Sequence, residues 1–222
     1  MLNNIYKKEW GIRFRGAVAS KIGKQMARAR LRQHNYREFF KYYPEIQTEV
    51  NWRQHNVYNM NNECGFIFGR VANLLLNLQK KPKRMLLAGE DNKVKKSYSD
   101  LMKLPEETFV TAGLGKGGDF EWDFDGVPSD KLGKFDVIVS HAMIEHLVDP
   151  YCHVKSLIHL LEPGGIVIVD TVMPGFPYHR YPVDCVRFFP DWFMEVAKRN
   201  HVEIYDQFIA EDHIVFTYRK PE

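Results

Sequence analysis

Four short apolar runs constrain the fold of this 222-residue chain more than any other feature. They are separated by helix-compatible stretches, and they lack the consistent two-residue alternation of a strand that has one face in water. Such runs are typical of strands covered on both faces, and their alternation with helices predicts a parallel sheet with right-handed crossovers. The runs are residues 84–89, 108–114, 135–140 and 165–172. The sequence therefore predicts a doubly wound, Rossmann-like α/β sheet.

The remaining elements complete a mostly parallel sheet of seven strands. Residues 97–104 and 149–161 suit crossover helices. Residues 119–124 alternate in polarity, which favours a strand at the sheet edge. At the end of the chain, the strand-like runs 202–209 and 213–218 are joined by only three residues. So short a link requires an antiparallel last pair.

The N-terminal segment is strongly basic. Residues 1–45 contain 11 Lys or Arg residues against three Glu residues, although the whole chain has a net charge of only +3. A helix is predicted from Arg13 to Tyr43, because apolar side chains recur there every four residues. Two interpretations remain open: the apolar stripe docks on the main domain, or the basic surface meets an anionic partner. Lipid headgroups or a phosphorylated substrate carrier are favoured over nucleic acid as that partner. The recurring side chains are Phe14, Val18, Ile22 and Met26.

A second helix completes the predicted N-terminal extension. Asn61 and Asn62 precede this helix as caps, and Pro82 follows it, where a proline cannot continue a helix. We therefore predict two regions: a basic helical extension over residues 1–80 and the α/β domain over residues 81–222.

Cysteine usage and hydropathy predict a cytoplasmic protein. Cys64, Cys152 and Cys185 form no C-x-x-C pair, so neither a disulfide framework nor a zinc knuckle is indicated. The first ten residues lack the apolar core of a signal peptide, and no apolar run approaches the length of a membrane span. Peripheral binding to a membrane through the basic segment stays open.

The loop after the third apolar run carries several ionisable side chains close together. Ligands of an open parallel sheet bind beyond the carboxyl ends of its strands, so this loop is a candidate site. His141, Glu145 and His146 suggest zinc, but two His residues five apart on a helix do not converge on one ion. No metal is therefore expected. Glu145 and His146 are expected to brace the turn, and His141 is the better candidate for a pocket contact.

Motifs on both sides of this loop resemble a known family. FDVIVSHAMIEHLVDP (135–150) followed by LLEPGGIVIVDTV (160–172) is similar to the fourth strand, helix and fifth strand of class I S-adenosylmethionine-dependent methyltransferases. HRYPVDCVRFFPDWF (179–193) resembles the segment after the fifth strand in the type 11-like branch. The resemblance spans residues 83–218, and composite spacing makes it more specific than one glycine motif.

The resemblance implies S-adenosylmethionine as cofactor. In the first half of the site, however, this sequence departs from the family's pattern. The family has an acidic residue and then G-x-G-x-G after its first strand, and here only Gly89 matches. The acid that holds the ribose hydroxyls after the second strand is replaced by Gly113. Two alternatives stay open: Glu90 or Asp91 takes that role, or the cofactor is bound weakly or not at all. The residues expected at the cofactor are Gly89, Glu90, Asp91, Gly113, Asp123, Asp125, Ser140, His141 and Ala142.

Two His residues are candidates for the proton acceptor that a hydroxyl substrate requires, because His titrates near neutral pH. These are His141 and His179, and Asp184 is expected to orient a His. For Arg187, two roles stay open, an acidic substrate or an ion pair with Asp184 at i,i+3. The expected substrate contacts are Tyr178, Arg180 and Arg187.

Two functions are compatible with these observations. The leading one is methylation of a hydroxyl or amine on a small molecule or sugar, with a cell-surface polysaccharide as the acceptor that the resemblance suggests. The alternative is a non-catalytic binding or scaffold protein of methyltransferase fold with a degenerate cofactor site. The missing acidic and glycine residues favour the alternative.

Overall fold

The computed structural model describes residues 2–48, 67–115 and 117–222, and of residues 2–19 it describes the backbone alone. Its strands form one sheet in the order β1-β7-β8-β6-β5-β2-β3-β4. The strands are β1 Gln47–Thr48, β2 Met85–Ala88, β3 Phe109–Gly113, β4 Phe120–Glu121, β5 Phe135–His141, β6 Leu161–Val172, β7 Glu203–Ala210 and β8 His213–Arg219. The helices are α1 Leu2–Phe39, α2 Gly69–Leu76, α3 Lys95–Met102, α4 Pro150–Leu160 and α5 Pro190–Asn200.

The central strands are parallel and buried on both faces, as the apolar runs predict. β2 lies between β3 and β5, and β5 pairs in parallel with β6. Ile138 of β5 packs in one apolar layer, whereas Val137 and Val139 pack in the other. Both layers exclude water from the strands, so alternation is absent where the sequence shows none.

The edge strand β4 and the antiparallel β7–β8 pair confirm their predicted character. β4 is the edge strand next to β3, although it spans only Phe120–Glu121. β8 is antiparallel to both β6 and β7 and lies between them. Glu211, at positive φ, makes the tight link between β7 and β8.

Local capping chemistry sets the start of α4. The Asp149 carboxylate accepts a hydrogen bond from the Cys152 amide at 3.0 Å, and Pro150 occupies the first turn. Both features match the sequence-based prediction, because caps depend on neighbouring residues only. The second predicted helix begins at Gly69 instead, and its expected caps, Asn61 and Asn62, lie outside the described residues.

The N-terminal extension contacts the sheet in a way that the sequence did not predict. β1 adds an eighth strand, parallel to β7. The C-terminal part of α1 packs on the domain through Phe39, which is 5% exposed. Ile22 and Met26 are 50% and 52% exposed, so this part of the predicted apolar stripe does not dock on the domain. Among the described helices, none combines the length and hydropathy needed to cross a membrane.

Candidate functional site

The candidate site lies beyond the carboxyl ends of β2, β3, β5 and β6, where four loops meet. Backbone hydrogen bonds join the loops that follow β5 and β6. The amides of Cys185 and Val186 donate to the Glu145 carbonyl at 2.9 and 3.1 Å. Since Glu145 itself lies in a short 3-10 turn after β5, this contact holds residues 177–187 against the strand end.

Backbone hydrogen bonds join the loop after β2 to β3 and to the loop that follows β3. The Gly89 amide donates to the Ala112 carbonyl at 2.8 Å, and the Asn92 amide donates to the Gly117 carbonyl at 2.9 Å. Gly89 has φ +90°, and a Cβ there would lie 3.0 Å from Cγ of Met143. Only glycine suits that conformation and that space.

Glu90 and Asp91, the two candidates to replace the missing acid, differ in their surroundings. Asp91 accepts a hydrogen bond from the Lys93 amide at 2.8 Å and so caps the turn that follows β2. Glu90 is half-buried, and its backbone carbonyl adjoins Gly113, where an added Cβ would approach it to 3.9 Å. Burial raises the pKa of Glu90 above its ordinary value, although nearby His141 opposes the shift. The two side chains thus differ: the Asp91 carboxylate caps a turn, whereas the Glu90 carboxylate lies in partly buried surroundings near His141.

Asp123 and Asp125 stabilise turns in this structure. Asp123 accepts a hydrogen bond from the Asp125 amide at 3.2 Å. Asp125 accepts from the amides of Val148 and Asp149 at 3.2 and 2.7 Å. Asp125 thus holds the chain that enters α4, and Asp123 stabilises the turn that contains Asp125; the sequence predicted neither role.

Of the three residues expected to face a cofactor at the end of β5, Ser140 is turned inward. Ser140 is fully buried, and its Oγ lies 3.5 Å from Nε2 of His153. Burial lowers the pKa of His153 to about 3, so that imidazole is a neutral core group. Ala142 follows at positive φ (47°) and turns the chain out of the strand.

His141 forms an ion pair with a buried acid, Asp170 of β6. Its Nδ1 lies 2.6 Å from one Asp170 oxygen, and Nδ1 of His213 lies 3.4 Å from the other. Burial alone would lower the pKa of His141, but the Asp170 carboxylate outweighs it and raises that pKa. Burial alone would raise the pKa of Asp170, and the two imidazoles instead lower it. The Phe68 ring makes T-shaped contacts with the imidazoles of His141 and His213, at centroid distances of 6.2 and 5.4 Å.

His179 and Asp184 do come together, as the sequence suggests. The backbone amide of His179 donates to the Asp184 carboxylate at 2.7 Å, and Nδ1 of the His179 imidazole lies 3.6 Å from the same carboxylate. Arg187 makes a forked ion pair with Asp184 and also donates to the Pro177 carbonyl at 3.0 Å. Hydrogen bonds from Arg187 lower the pKa of Asp184 to about 2. Of the two roles left open for Arg187, the structure shows the ion pair with Asp184, and a contact with an acidic substrate stays a prediction.

Tyr178 and Arg180, the other expected substrate contacts, lie on the outer rim. Tyr178 is 76% exposed. Arg180 donates through Nε to the carbonyl of Pro182 at 2.7 Å.

Asp170, His213 and Phe68 are parts of the site that sequence reasoning missed. The sequence did contain a signal for Asp170, because a lone acidic residue inside the apolar run of β6 requires a buried partner. His213 and Phe68 had none, since each comes from an element outside the motifs.

Neither a family profile nor a curated protein sequence matches this chain. Solved structures share its fold at low sequence identity. An S-adenosylmethionine-dependent methyltransferase from Mesorhizobium loti has a TM-score of 0.51 and 13% identity, over 68% of this chain and 97% of that chain. The 1,6-didemethyltoxoflavin-N1-methyltransferase of Burkholderia thailandensis has a TM-score of 0.50 and 13% identity, over 69% of this chain and 78% of that chain. Its structure contains bound 1,6-didemethyltoxoflavin and S-adenosylhomocysteine.

The cyclase SpnF also has a TM-score of 0.50 and 13% identity, over 68% of this chain and 80% of that one. The chain therefore has a class I methyltransferase fold. Because a cyclase has this fold too, the reaction must be argued from the site.

Proposed function

We propose that this protein is an S-adenosylmethionine-dependent methyltransferase acting on a hydroxyl or amine of a small molecule or sugar. The observation that supports it most is the position of Glu90, beside Gly89 and Gly113 at the carboxyl edge of a methyltransferase-type sheet. The Glu90 side chain is half-buried there, and its carboxylate is the group proposed to accept hydrogen bonds from the ribose hydroxyls in place of the usual acid. A glycan acceptor rests on the sequence resemblance alone.

The residues around this edge have distinct roles in the proposed reaction. S-adenosylmethionine, when bound, supplies a methyl group on a positively charged sulfur. Glu90 and the backbone at Gly89 would hold the cofactor, and alignment of donor and acceptor out of water supplies much of the acceleration. In its neutral form, with Nδ1 held by Asp170, His141 is the group proposed to accept the proton of a hydroxyl substrate.

Titration of S-adenosylhomocysteine into the full chain tests the cofactor site. Wild-type protein is expected to bind, and Glu90→Ala is expected to weaken binding about 10- to 100-fold, because a hydrogen bond to a charged group is worth about 1.5 to 3 kcal/mol. Glu107→Ala is the matched control, since Glu107 is exposed and lies before β3, at the opposite end of the sheet. Isothermal titration calorimetry gives the three dissociation constants.

Absence of binding by the wild-type chain at millimolar ligand would reject the methyltransferase proposal and favour the non-catalytic alternative. Equal affinity of wild type and Glu90→Ala would reject the role of Glu90 while leaving the cofactor in place.

We further propose that α1 meets an anionic membrane surface. Its segment from residue 20 to residue 27 is exposed on all sides and combines the apolar side chains of Ile22 and Met26 with the cations Lys21 and Lys24. Apolar and cationic groups on one exposed helix suit the boundary between headgroups and acyl chains. Arg28 is engaged elsewhere, because it donates to Asp212 at 2.6 Å and anchors the helix.

Charge reversal tests this surface. Lys21→Glu, Lys24→Glu and Arg30→Glu combined are expected to abolish pelleting with vesicles rich in phosphatidylserine, because each cation near such a surface contributes about 1 kcal/mol. The control reverses three exposed lysines away from α1, at Lys80, Lys81 and Lys103, and has the same net charge. Pelleting of wild type should fall at high salt. Equal pelleting of both triple variants would show that net charge, and not α1, drives the association.

A further inference from the structure

Three potential metal ligands converge beside the His141–Asp170 pair. They are Glu145 and His146 from the turn after β5 and His179 from the loop after β6. Oε1 of Glu145 lies 3.9 Å from Nε2 of His146 and 3.9 Å from Nε2 of His179, and the ligand atoms all lie within 4.8 Å of one another. No metal was expected, because His141 and His146 are five residues apart and do not converge on one ion if the stretch is helical. The partner of His146 comes instead from a distant loop.

Glu145 is the observation that points to a ligand. It is fully buried, and its Oε2 accepts a hydrogen bond from the Thr171 hydroxyl at 2.6 Å. Its Oε1 is also buried and has no hydrogen-bond partner among the described residues. A buried carboxylate oxygen without a donor is costly, whereas a bound cation would satisfy it.

Neighbouring groups orient both imidazoles for coordination. Nδ1 of His146 is hydrogen-bonded to the Val183 carbonyl, and because a carbonyl only accepts, the proton must be on Nδ1. Nε2 of a neutral His146 therefore presents its lone pair toward Glu145. Nδ1 of His179 faces Asp184 at 3.6 Å, which leaves its Nε2 toward the same point. A metal-binding His commonly has such a carbonyl or carboxylate behind it.

Distance and exposure also suit an ion. A point equidistant from the three atoms lies about 2.5 Å from each, so inward shifts of about half an ångström reach zinc–ligand distances of about 2.0 to 2.2 Å. The side chain of His179 is 36% exposed, whereas that of Glu145 is completely buried. The site is therefore open on one side, where water or an oxygen ligand would complete the coordination shell.

We propose that Glu145, His146 and His179 form a binding site for a divalent transition-metal ion such as Zn²⁺. Two imidazoles and one carboxylate are a ligand set that proteins use for zinc and for non-haem iron with open positions. The inference does not rest on the proposed methyltransferase activity, because it concerns only these three side chains.

Zinc titration of the full chain, stripped of metal with a chelator, tests the site without any cofactor. Wild-type protein is expected to bind one Zn²⁺ and to gain melting temperature in proportion to the logarithm of its concentration. His179→Ala should weaken binding by more than about 100-fold, since loss of an outer-shell partner alone costs about 10- to 100-fold. His159→Ala, at an exposed position of α4, is the matched control and should bind as wild type does.

If His179→Ala fails to fold, His179→Gln serves in its place, because its side chain is closer in size to the imidazole. Wild-type affinity in the His179 variant, absence of binding by the wild type, or equal weakening in His159→Ala would each overturn the proposal. Since S-adenosylhomocysteine is absent from these titrations, their failure is distinguishable from failure of the proposed function.

Discussion

Asp170→Asn is expected to lower the free energy of unfolding by about 3 kcal/mol at pH 6, because breaking a buried ion pair costs about 3 to 5 kcal/mol. Asp170 is 2% exposed, and its oxygens face His141 and His213 at 2.6 and 3.4 Å. Asparagine keeps the shape of the side chain but removes the charge that both imidazoles face. The lower end of the range applies because an imidazole can release its proton when its partner is lost.

The loss should depend on pH in a defined direction. The pKa of His141 is raised by folding, so its contribution to stability is complete below about pH 6.5 and is lost as pH rises through the folded-state pKa. The pKa of Asp170 is lowered by folding, so its contribution is present above about pH 3.9 and is lost as pH falls through the folded-state pKa. The difference between wild type and variant should therefore be greatest between about pH 4 and pH 6.5.

Urea denaturation of both proteins at pH 5.5 and pH 8.5 measures this difference. Asp100→Asn is the matched control, because Asp100 pairs with Lys96 on the surface of α3 and its side chain is 55% exposed. That control should change stability by less than about 1 kcal/mol. A pH-independent loss in Asp170→Asn would show that packing, and not the ion pair, stabilises this position.

Gly165→Ala is expected to cost about 3 kcal/mol of unfolding free energy, at the upper end of the usual range for overpacking. A Cβ at Gly165 would lie 2.9 Å from the Glu162 carbonyl oxygen, 3.0 Å from that of Asp136 and 3.2 Å from that of Phe135. All three atoms are backbone, and two belong to β5, which pairs with β6 at this point. No side-chain rotation relieves the contacts, so the strands must separate.

Gly23→Ala is the control for this substitution. Gly23 lies inside α1, and a Cβ there would meet nothing within 4 Å. Alanine in a helix is favoured over glycine by about 1 kcal/mol, so this variant should lose no stability. Thermal and urea denaturation compare the two. A loss below about 0.5 kcal/mol in Gly165→Ala would show that the strand pair relaxes easily around the added methyl group.

Much of the fold follows from local patterns in the sequence. The apolar runs mark β2, β3, β5 and β6, and the short link after β7 correctly predicts the antiparallel pair. Helix α4 begins at its predicted cap because Asp149 needs only the next few residues to act. β1 was missed, since a two-residue strand has no periodicity and exists only through its pairing with β7.

Prediction of the site was less complete, and particular residues show why. His141, His179 and Asp184 were named from their positions in motifs, and the structure places them near the same sheet edge. Asp125 was expected at the cofactor, and in the structure its carboxylate accepts hydrogen bonds from backbone amides. Arg187 was expected either at an acidic substrate or in an ion pair with Asp184, and it makes the ion pair. Ser140 lies in the expected strand, yet the pleat turns its side chain under α4.

The sequence by itself determined the architecture and the sheet edge where a ligand would bind, because hydrophobic periodicity, caps and turn lengths act over a few residues. Only the tertiary structure decided which polar groups meet. His141 and Asp170 are direct partners in the β5–β6 register, and His213 is the register partner of Val172, two residues beyond Asp170. His146 meets His179 because the loop after β6 folds back onto the Glu145 carbonyl. Such contacts depend on strand register and loop closure, which arise when the whole core packs.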